Sequence, residues 1–480
     1  MTAIEVPDLC RLNATELLAM MGRKEVSAAE LMAQTLAHIG RVNPAVTAIV
    51  SLRGEEALMA EARAADEARA RGETCGALHG LPMAVKDLAF TKGLRTTFGS
   101  PLFADLVPGT DAIFVERMRR EGAIFTAKTN VPEFGYGSNS YNPIFGLTRN
   151  AWDPSRVGGG SSGGAGVGLA LRMLSVADGS DMGGSLRNPA AWNNVYGFRP
   201  SQGRVPSDGL DPFYGQMATD GPMGRSAADL ALLLSVQSGY DPRAPLSLDA
   251  PVSAAAPEPL DPKGLRFGWL GDYQGQLPFE DGVLELTGAA AALWADAGAL
   301  VEPVTARYDM AQVWTSWTRL RQQSIGGRHD AQWRDPAQRA LLKPEAQWEI
   351  TQSHQLSGLD LYNAALARGA WYRHLMGLFQ QYDFLLLPAA QVFPFAAETP
   401  WPKEVAGRKM DSYHRWMEVV AGATLAGCPS VSVPAGFSAE GLPMGLQIMA
   451  APRQDEKLLR AVASWDRICP WLDRLPPMLR

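Results

Sequence analysis

The chain has 480 residues, of which 46% are hydrophobic, so it is long enough to bury a sizeable core. Its 44 basic and 50 acidic residues give a net charge of −6, and the absence of a basic run excludes the electrostatic footprint of a nucleic-acid binder. Glu5, Asp8 and Glu16 interrupt the stretch where a signal peptide would be apolar, and no apolar run approaches the ~18 to 20 residues that span a bilayer. Since the four cysteines are also too scattered for a metal knuckle or a disulfide scaffold, we expect a cytoplasmic protein without a membrane partner.

The first half of the chain predicts helices alternating with short strands. Ser27-Ala-Ala-Glu30 is typical of a capping box before an apolar-periodic helix that runs to about Ile39. An alanine-rich helix is predicted from Glu55 to Ala70, and the apolar run LPMAV after Gly80 predicts a buried strand that ends at Lys86.

Further along, a helix from Thr110 to Glu121 and an extended segment from Ala123 to Ala127 continue this alternation, which favours an α/β layered fold. The proline-rich and alanine-rich segment Asp249 to Gly264 predicts a connection between two halves. The pattern from Tyr308 to His374 is mostly helical, and FLLLPA at Phe384 to Ala389 predicts a return to the sheet.

Two glycine-serine clusters flank one predicted helix and form the densest chemical signal. GGGSSGGAG runs from Gly158 to Gly166, and GSDMGGSLRNP runs from Gly179 to Pro189. Glycine permits close backbone approach and positive φ, and consecutive backbone N–H groups in such turns can bind an anion. An oxyanion hole and a phosphate cradle both fit this pattern, as does a purely structural glycine turn. The phosphate interpretation is disfavoured because the cluster lacks the lysine of a GxxxxGK[ST] motif.

A serine nucleophile needs a base, and histidine is the usual one. All six histidines, however, lie outside the glycine-serine region, namely His38, His79, His329, His354, His374 and His414. Lys86 follows an apolar run, where burial would disfavour its ammonium form and allow the amine to accept a proton. A lysine that simply reaches solvent remains an alternative, and Lys128 after AIFTA has similar surroundings.

Gly159 to Ala190 resembles the signature of the amidase signature family, which runs through GGSSGG, a helix and D-x-G-G-S-[hydrophobic]-R-x-P. Ser161 and Ser185 are 24 residues apart, and Lys86 lies 75 residues before Ser161, spacings that are similar to those of the family. The resemblance covers most of the chain and is loosest from Tyr308 to Tyr382. Further phrases that carry it are GLPMAVKD at 80–87, KTNVPEFGYGS at 128–138, GFRPSQGRVP at 197–206, GCPSVSVPAG at 427–436 and LPMGLQIMA at 442–450.

The resemblance implies a role for each matching residue. Ser185 would be the nucleophile, Ser161 a bridging acid/base preceded by a cis peptide bond, and Lys86 the terminal base. Ser162 would hydrogen-bond Lys86, while Asp181 and Arg187 would brace the loop. The implied oxyanion hole consists of the backbone N–H groups of Met182, Gly183, Gly184 and Ser185, and the implied substrate contacts are Tyr136, Gly137 and Ser138.

The implied fold is a single α/β/α domain, residues 1–480, around a large mixed sheet, with 308–382 as a more variable and mostly helical segment. The implied activity is hydrolysis of a carboxamide through an acyl-serine, with no metal and no organic cofactor. Tryptophans in the helical segment are expected mainly in the core, although some could line an acyl pocket and favour an aryl or bulky apolar acyl group; they are Trp314, Trp317, Trp333, Trp348 and Trp371.

Three alternatives stay open at this point. The chain could be the glutamine-hydrolysing component of a tRNA-dependent amidotransferase, or a catalytically silent binding protein on the same scaffold. Esters could be cleaved beside amides. The oligomeric state is also open, and a homodimer is compatible with the sequence.

Overall fold

Two sheets position the segments that the sequence singles out. The computed structural model describes residues 3–209, 211–213 and 217–480. Its strands are β1 Ile49–Val50, β2 Pro82–Lys86, β3 Ile124–Thr129, β4 Tyr141–Asn142, β5 Gly146–Leu147, β6 Ala177–Asp181, β7 Tyr196–Arg199, β8 Thr219–Gly224, β9 Arg266–Trp269, β10 Leu300–Pro303, β11 Phe384–Pro388, β12 Glu404–Val405, β13 Arg408–Lys409, β14 Ser430–Phe437 and β15 Pro443–Met449.

Helices cover both faces of the larger sheet. They are α1 Asp8–Arg11, α2 Ala14–Gly22, α3 Ala28–Val42, α4 Glu55–Ala70, α5 Ile113–Arg120, α6 Gly163–Ala170, α7 Arg187–Ala191, α8 Ala227–Gln237, α9 Val283–Asp296, α10 Met310–Arg334, α11 Pro336–Leu341, α12 Pro344–Ser353, α13 Gly358–Leu378, α14 Ala421–Ala426 and α15 Asp455–Ile468. None of them, within the described ranges, is both long and apolar enough to cross a membrane.

Eight of the described strands form one mixed sheet in the order β10-β9-β11-β15-β14-β7-β8-β6. β9 pairs parallel with β10 and β11, and the other neighbours are antiparallel. Along β11, Phe384 and Leu386 belong to one apolar cluster and Leu385 and Leu387 to another, because successive strand residues point to opposite faces. The predicted α/β layered fold around a large mixed sheet is therefore confirmed, whereas folding of residues 1–480 as one unit stays a prediction.

The strand that ends at Lys86 is correctly predicted but belongs to a separate small sheet of order β1-β3-β2. β2 pairs parallel with β3, and all five of its residues are buried. Its end approaches β6 at the edge of the large sheet, since the Lys86 backbone N–H donates to both carboxylate oxygens of Asp178, each at 3.2 Å. Lys86 is thereby brought to the seam between the two sheets.

Local sequence signals account for several helix boundaries. Ser27 Oγ accepts the Glu30 N–H at 3.1 Å and the Glu30 carboxylate accepts the Ser27 N–H at 2.9 Å, which confirms the capping box. The helix predicted from Glu55 to Ala70 has those bounds. The helix predicted from Thr110 begins only at Ile113, because Asp111 is held outside it by the Lys92 N–H at 2.6 Å.

Four helices, α10 to α13, occupy most of the segment predicted to be helical. Trp314, Trp317 and Trp371 are buried there, in agreement with a structural role, whereas Trp333 and Trp348 are only partly buried. The segment between α8 and β9, which includes residues 249–264, has no helix or strand, as expected for a connection.

Candidate active site

Lys86 is buried at the end of β2, with 1% of its surface exposed. Its Nζ lies 2.9 Å from Ser161 Oγ, 2.8 Å from Ser162 Oγ, 2.9 Å from Ser180 Oγ and 3.2 Å from the Ser180 carbonyl oxygen. A neutral amine has two N–H donors and one lone pair, so with four oxygens around it one hydroxyl can donate to the nitrogen. The arrangement therefore accommodates a neutral lysine.

Burial is also the main influence on the charge of Lys86. It lowers the pKa of the lysine to about 7, while the charges of Asp220, Asp178 and Asp181 oppose this change. Burial raises the pKa of Asp178 to about 6 and that of Asp220 to about 7. Burial thus outweighs the neighbouring carboxylates, and the neutral amine of Lys86 becomes accessible near neutral pH.

The first glycine-serine cluster forms the turn that carries Ser161. The Gly160–Ser161 peptide bond is cis, as the resemblance implies. Gly159 has φ +83°, and a Cβ there would lie 2.9 Å from Pro189 Cα. At Gly164, the second residue of α6, a Cβ would lie 2.3 Å from the backbone nitrogen of Asn130. These glycines are therefore required for packing of the chain against itself.

Ser185 lies in the second cluster, between β6 and α7. Its carbonyl oxygen accepts the Ser162 N–H at 3.2 Å, which ties the two serine turns together. Its side chain is nearly buried, and Ser185 Oγ makes no hydrogen bond to any described protein group, including Ser161 Oγ. The hydroxyl is thus free to meet a substrate, whereas the hydroxyl of Ser161 is held by Lys86.

Asp181 and Arg187 brace the turn that contains Ser185. Arg187 donates two hydrogen bonds to the Asp181 carboxylate, Nε at 3.0 Å and Nη2 at 2.9 Å, and both side chains are fully buried. This ion pair holds the pKa of Asp181 well below its usual range, despite burial. The same carboxylate accepts the backbone N–H groups of Gly184 at 3.0 Å and Leu186 at 3.2 Å.

The contact with Gly184 changes the set of N–H groups available to a substrate. Gly184 was expected in the oxyanion hole, but its N–H donates to Asp181 Oδ1 at 3.0 Å. The N–H groups of Met182, Gly183 and Ser185 have no acceptor among the described residues. Three of the four expected donors are therefore free.

Tyr136, Gly137 and Ser138 lie beside the site but are engaged with the protein. The Tyr136 hydroxyl is 2.6 Å from His329 Nε2. Ser138 Oγ donates to the Gly160 carbonyl oxygen and accepts from Asn188 Nδ2 at 2.9 Å. The side chain of Ser138 thus joins the Ser161 turn to α7, whereas that of Tyr136 contacts α10.

The remaining lysine and histidine candidates bond elsewhere in the described residues. Lys128 Nζ is buried and donates to the Ala89 carbonyl oxygen at 2.7 Å and to Thr91 Oγ1 at 2.8 Å, away from both serines. No histidine in the described ranges hydrogen-bonds Ser161 or Ser185, and His414 instead pairs with Ser412 at 2.9 Å. Among residues 3–209, 211–213 and 217–480, no group of three or more histidine, cysteine or acidic side chains is arranged to hold a metal ion.

Arg199 is a site residue that the motif analysis missed. It is fully buried on β7, where its guanidinium donates to the Asp181 carbonyl oxygen and, at 2.9 Å, to that of Met217. The sequence does contain a signal, because an arginine inside the apolar strand YGFR needs buried acceptors.

Part of the helical segment covers the turn before Ser185. A Cβ on Gly183 would lie 3.1 Å from the Trp317 ring and 3.3 Å from Met417 Cε. Arg321, one turn after Trp317, donates to Glu349 Oε1 at 2.7 Å and to the Tyr413 hydroxyl at 2.8 Å. This buried network fixes α10 against the turn.

A cavity of about 590 Å³ reaches the same turn at Met182. Asp220, which pairs with Ser180 across β8 and β6, lines it near Lys86. Arg328 and Arg368 contribute positive charge to its wall. Its apolar wall includes Val205, Phe213, Met217, Leu246 and Leu320.

Comparisons with known proteins agree with this fold. The family model described as Amidase matches residues 30–459, so the chain belongs to the amidase signature family of amide hydrolases. It is 34% identical to a glutamyl-tRNA(Gln) amidotransferase subunit from Moorella thermoacetica, over 98% of this chain and 99% of that one.

It is 32% identical to an acylamidase of Rhodococcus erythropolis, over 97% of each chain. The crystal structure of a bacterial aryl acylamidase superposes with a TM-score of 0.89 at 29% identity, covering 96% of both chains. The family and the class of reaction, amide hydrolysis, are thus shown, and the relatives include both acylamidases and amidotransferase subunits.

Proposed function

We propose that this protein is a free-standing amidase in which Ser185 attacks the amide carbonyl, Ser161 relays the proton and Lys86 receives it. The observation that supports these roles best is the contact between the buried Lys86 Nζ and Ser161 Oγ at 2.9 Å, with the pKa of the lysine lowered to about 7. A neutral amine at this position is a base of suitable strength near neutral pH.

In the first step, Ser185 Oγ forms a bond to the carbonyl carbon and gives its proton to Ser161 Oγ, while Ser161 passes its own proton to Lys86 Nζ. The carbonyl π electrons move to oxygen and form the tetrahedral oxyanion. In the second step, the C–N bond breaks as the proton returns through Ser161 to the leaving nitrogen, which is needed because an amide anion is a poor leaving group. Water then attacks the acyl-serine by the same relay and releases the carboxylate.

The N–H groups of Met182, Gly183 and Ser185 are proposed to stabilise the oxyanion. Each donor in such a site contributes on the order of 3 to 4 kcal/mol in other hydrolases, because it is fixed before charge develops. Gly184, by contrast, is proposed to stabilise the shape of the turn through Asp181.

The cavity that meets the turn at Met182 is proposed to hold a part of the substrate distant from the amide, since Lys86, Ser161 and Ser185 are not among its lining residues. At about 590 Å³ it falls in the range of roughly 300 to 1,000 Å³ that suits drug-sized molecules. Its wall combines apolar residues with charged ones, so the preference for an aryl or bulky apolar group over glutamine is proposed from the similarity to an aryl acylamidase. A role as the glutamine-hydrolysing component of an amidotransferase remains compatible with the similarity to the Moorella thermoacetica protein.

The chain purified alone is expected to hydrolyse aryl or bulky apolar amides with a kcat/KM at least ~10-fold above that for glutamine. The reason is that even one additional methylene group in an apolar pocket is worth about 1 to 3 kcal/mol. A panel of aliphatic, aryl and amino-acid amides, with ammonia or amine release as the readout, measures this preference. Leu320→Ala, which removes part of the apolar wall, should raise KM for the aryl amide more than for a small aliphatic amide. The amidotransferase role would be favoured if glutamine were the one amide hydrolysed, and only after another subunit of the amidotransferase was added.

The buried ion pair between Asp181 and Arg187 is expected to stabilise the folded protein. Arg187→Met should lower the free energy of unfolding by about 3 to 5 kcal/mol, since it leaves Asp181 in the interior with only the more distant Arg199, at 3.6 Å, to balance its charge. Urea denaturation at pH 7 measures the loss. Arg23→Met, which breaks the exposed ion pair with Glu25, should leave the midpoint unchanged. Equal midpoints for wild type and Arg187→Met would show that the buried pair does not stabilise the fold.

A further inference from the structure

The turn before Ser185 has three N–H groups without an acceptor in the described residues. In each of these peptide units, the carbonyl oxygen accepts a hydrogen bond on the opposite side of the turn. In a trans peptide the N–H and C=O bonds point in opposite directions, so fixing one fixes the other. All peptide units of this turn are trans, since the cis bond in the described residues precedes Ser161. The donor to each carbonyl therefore determines where the next residue's N–H points.

Two of these donors come from α7 and β7, the elements that follow the turn in the chain. The Asp181 carbonyl oxygen accepts from Arg199, which orients the Met182 N–H. The Gly184 carbonyl oxygen accepts the Asn188 N–H of α7 at 2.6 Å, which orients the Ser185 N–H.

The third donor lies on α10, 135 positions from the turn in the chain. Trp317 Nε1 of α10 donates to the Met182 carbonyl oxygen at 3.0 Å, and no other described group donates to that oxygen. The Met182–Gly183 unit is the one that carries the Gly183 N–H, and glycine has no side chain to resist rotation of the peptide plane. Without the indole N–H this unit could flip, which would present a carbonyl oxygen to the oxyanion in place of a donor.

We infer that Trp317 is a positioning residue for the oxyanion hole, acting through its indole N–H on the Met182–Gly183 peptide unit. The helical segment is then part of the catalytic arrangement and not only a cover. The guanidinium of Arg321 reinforces the contact, because its Nη1 lies 3.2 Å from Met182 Sδ while Glu349 holds its Nε. This inference rests on the proposed function, since it requires an oxyanion at Met182 and Gly183.

Trp314 provides a matched control on the same helix. It is buried like Trp317, its ring stacks on Trp317 with centroids 5.1 Å apart, and it also contacts His414 edge-on. Its indole N–H, however, does not bond to the turn. Trp314→Phe therefore reports the loss of aromatic packing alone.

Trp317→Phe is expected to lower kcat by about 10-fold to 100-fold with KM unchanged, because the lost interaction acts on the transition state. Replacing Trp317 by 3-benzothienylalanine, in which sulfur replaces the N–H, should give the same loss while keeping the volume of the ring. The inhibition constant of a trifluoromethyl ketone, whose adduct with the serine is a tetrahedral oxyanion, should rise in parallel with the loss in kcat/KM. Trp314→Phe should change both quantities much less.

Two results would overturn the inference: wild-type kcat in the 3-benzothienylalanine protein, or equal losses in Trp317→Phe and Trp314→Phe with unchanged inhibitor affinity. Covalent titration with a fluorophosphonate, read at its end point, gives the concentration of folded sites for each variant. Failure of the proposed function itself is distinguished by Ser185→Ala, which would then retain activity.

Discussion

Ser185→Ala is expected to remain folded and to lose on the order of 10⁴-fold to 10⁶-fold in kcat, because without the hydroxyl no acyl-enzyme can form. The turn does not depend on the lost group, since Ser185 Oγ makes no hydrogen bond to a described residue and the backbone contacts of Ser185 are kept. The measurement is amide hydrolysis under single-turnover conditions, with thermal unfolding as the check on folding.

Ser432→Ala is a suitable control for this change. Ser432 is buried on β14, its hydroxyl has no hydrogen-bond partner, and it lies outside the proposed site. It should keep wild-type turnover. A fluorophosphonate probe should label wild type at Ser185, and labelling elsewhere or near-normal turnover of Ser185→Ala would refute the nucleophile. An unlabelled and inactive wild-type chain would instead favour the silent binding protein.

Lys86→Ala is expected to lower kcat/KM by on the order of 10³-fold and to remove the acid limb of the pH profile. The ammonium form cannot accept a proton, so the wild-type rate should rise with pH and level off above the lysine pKa, which burial lowers to about 7. The log of kcat/KM between about pH 5 and pH 9 should therefore have unit slope below this value.

A histidine base would titrate in the same pH region, so substitutions are needed to show which residue causes the acid limb. Asp220→Asn removes a negative neighbour that favours the ammonium form, and it should move the midpoint of the limb to lower pH. Replacements of His79 or His414 should leave a limb in place. If a single histidine replacement removed the limb while Lys86→Ala kept full rate, a histidine-dependent hydrolase would replace the proposed mechanism.

The sequence by itself predicted the local elements, including a buried strand that ends at Lys86 and the glycine-rich turns of Ser161 and Ser185. The proposed chemical roles of these residues came from the resemblance to the amidase signature family. These signals are local, because a capping box, strand periodicity and glycine turns depend on neighbours in the chain. The α/β class followed from their alternation.

Only the tertiary structure decided which groups meet across the chain. The strand of Lys86 joins a small sheet whose end abuts β6, which buries the lysine and so lowers its pKa, while Asp178 and Asp220 of the large sheet oppose this change. The N–H of Gly184 donates to the buried Asp181 carboxylate, a contact that depends on how the turn folds back on the end of β6. The contact of Trp317 with Met182 joins residues 135 positions apart, and no periodicity or motif specifies such a pair, because it arises from how helices pack on the sheet.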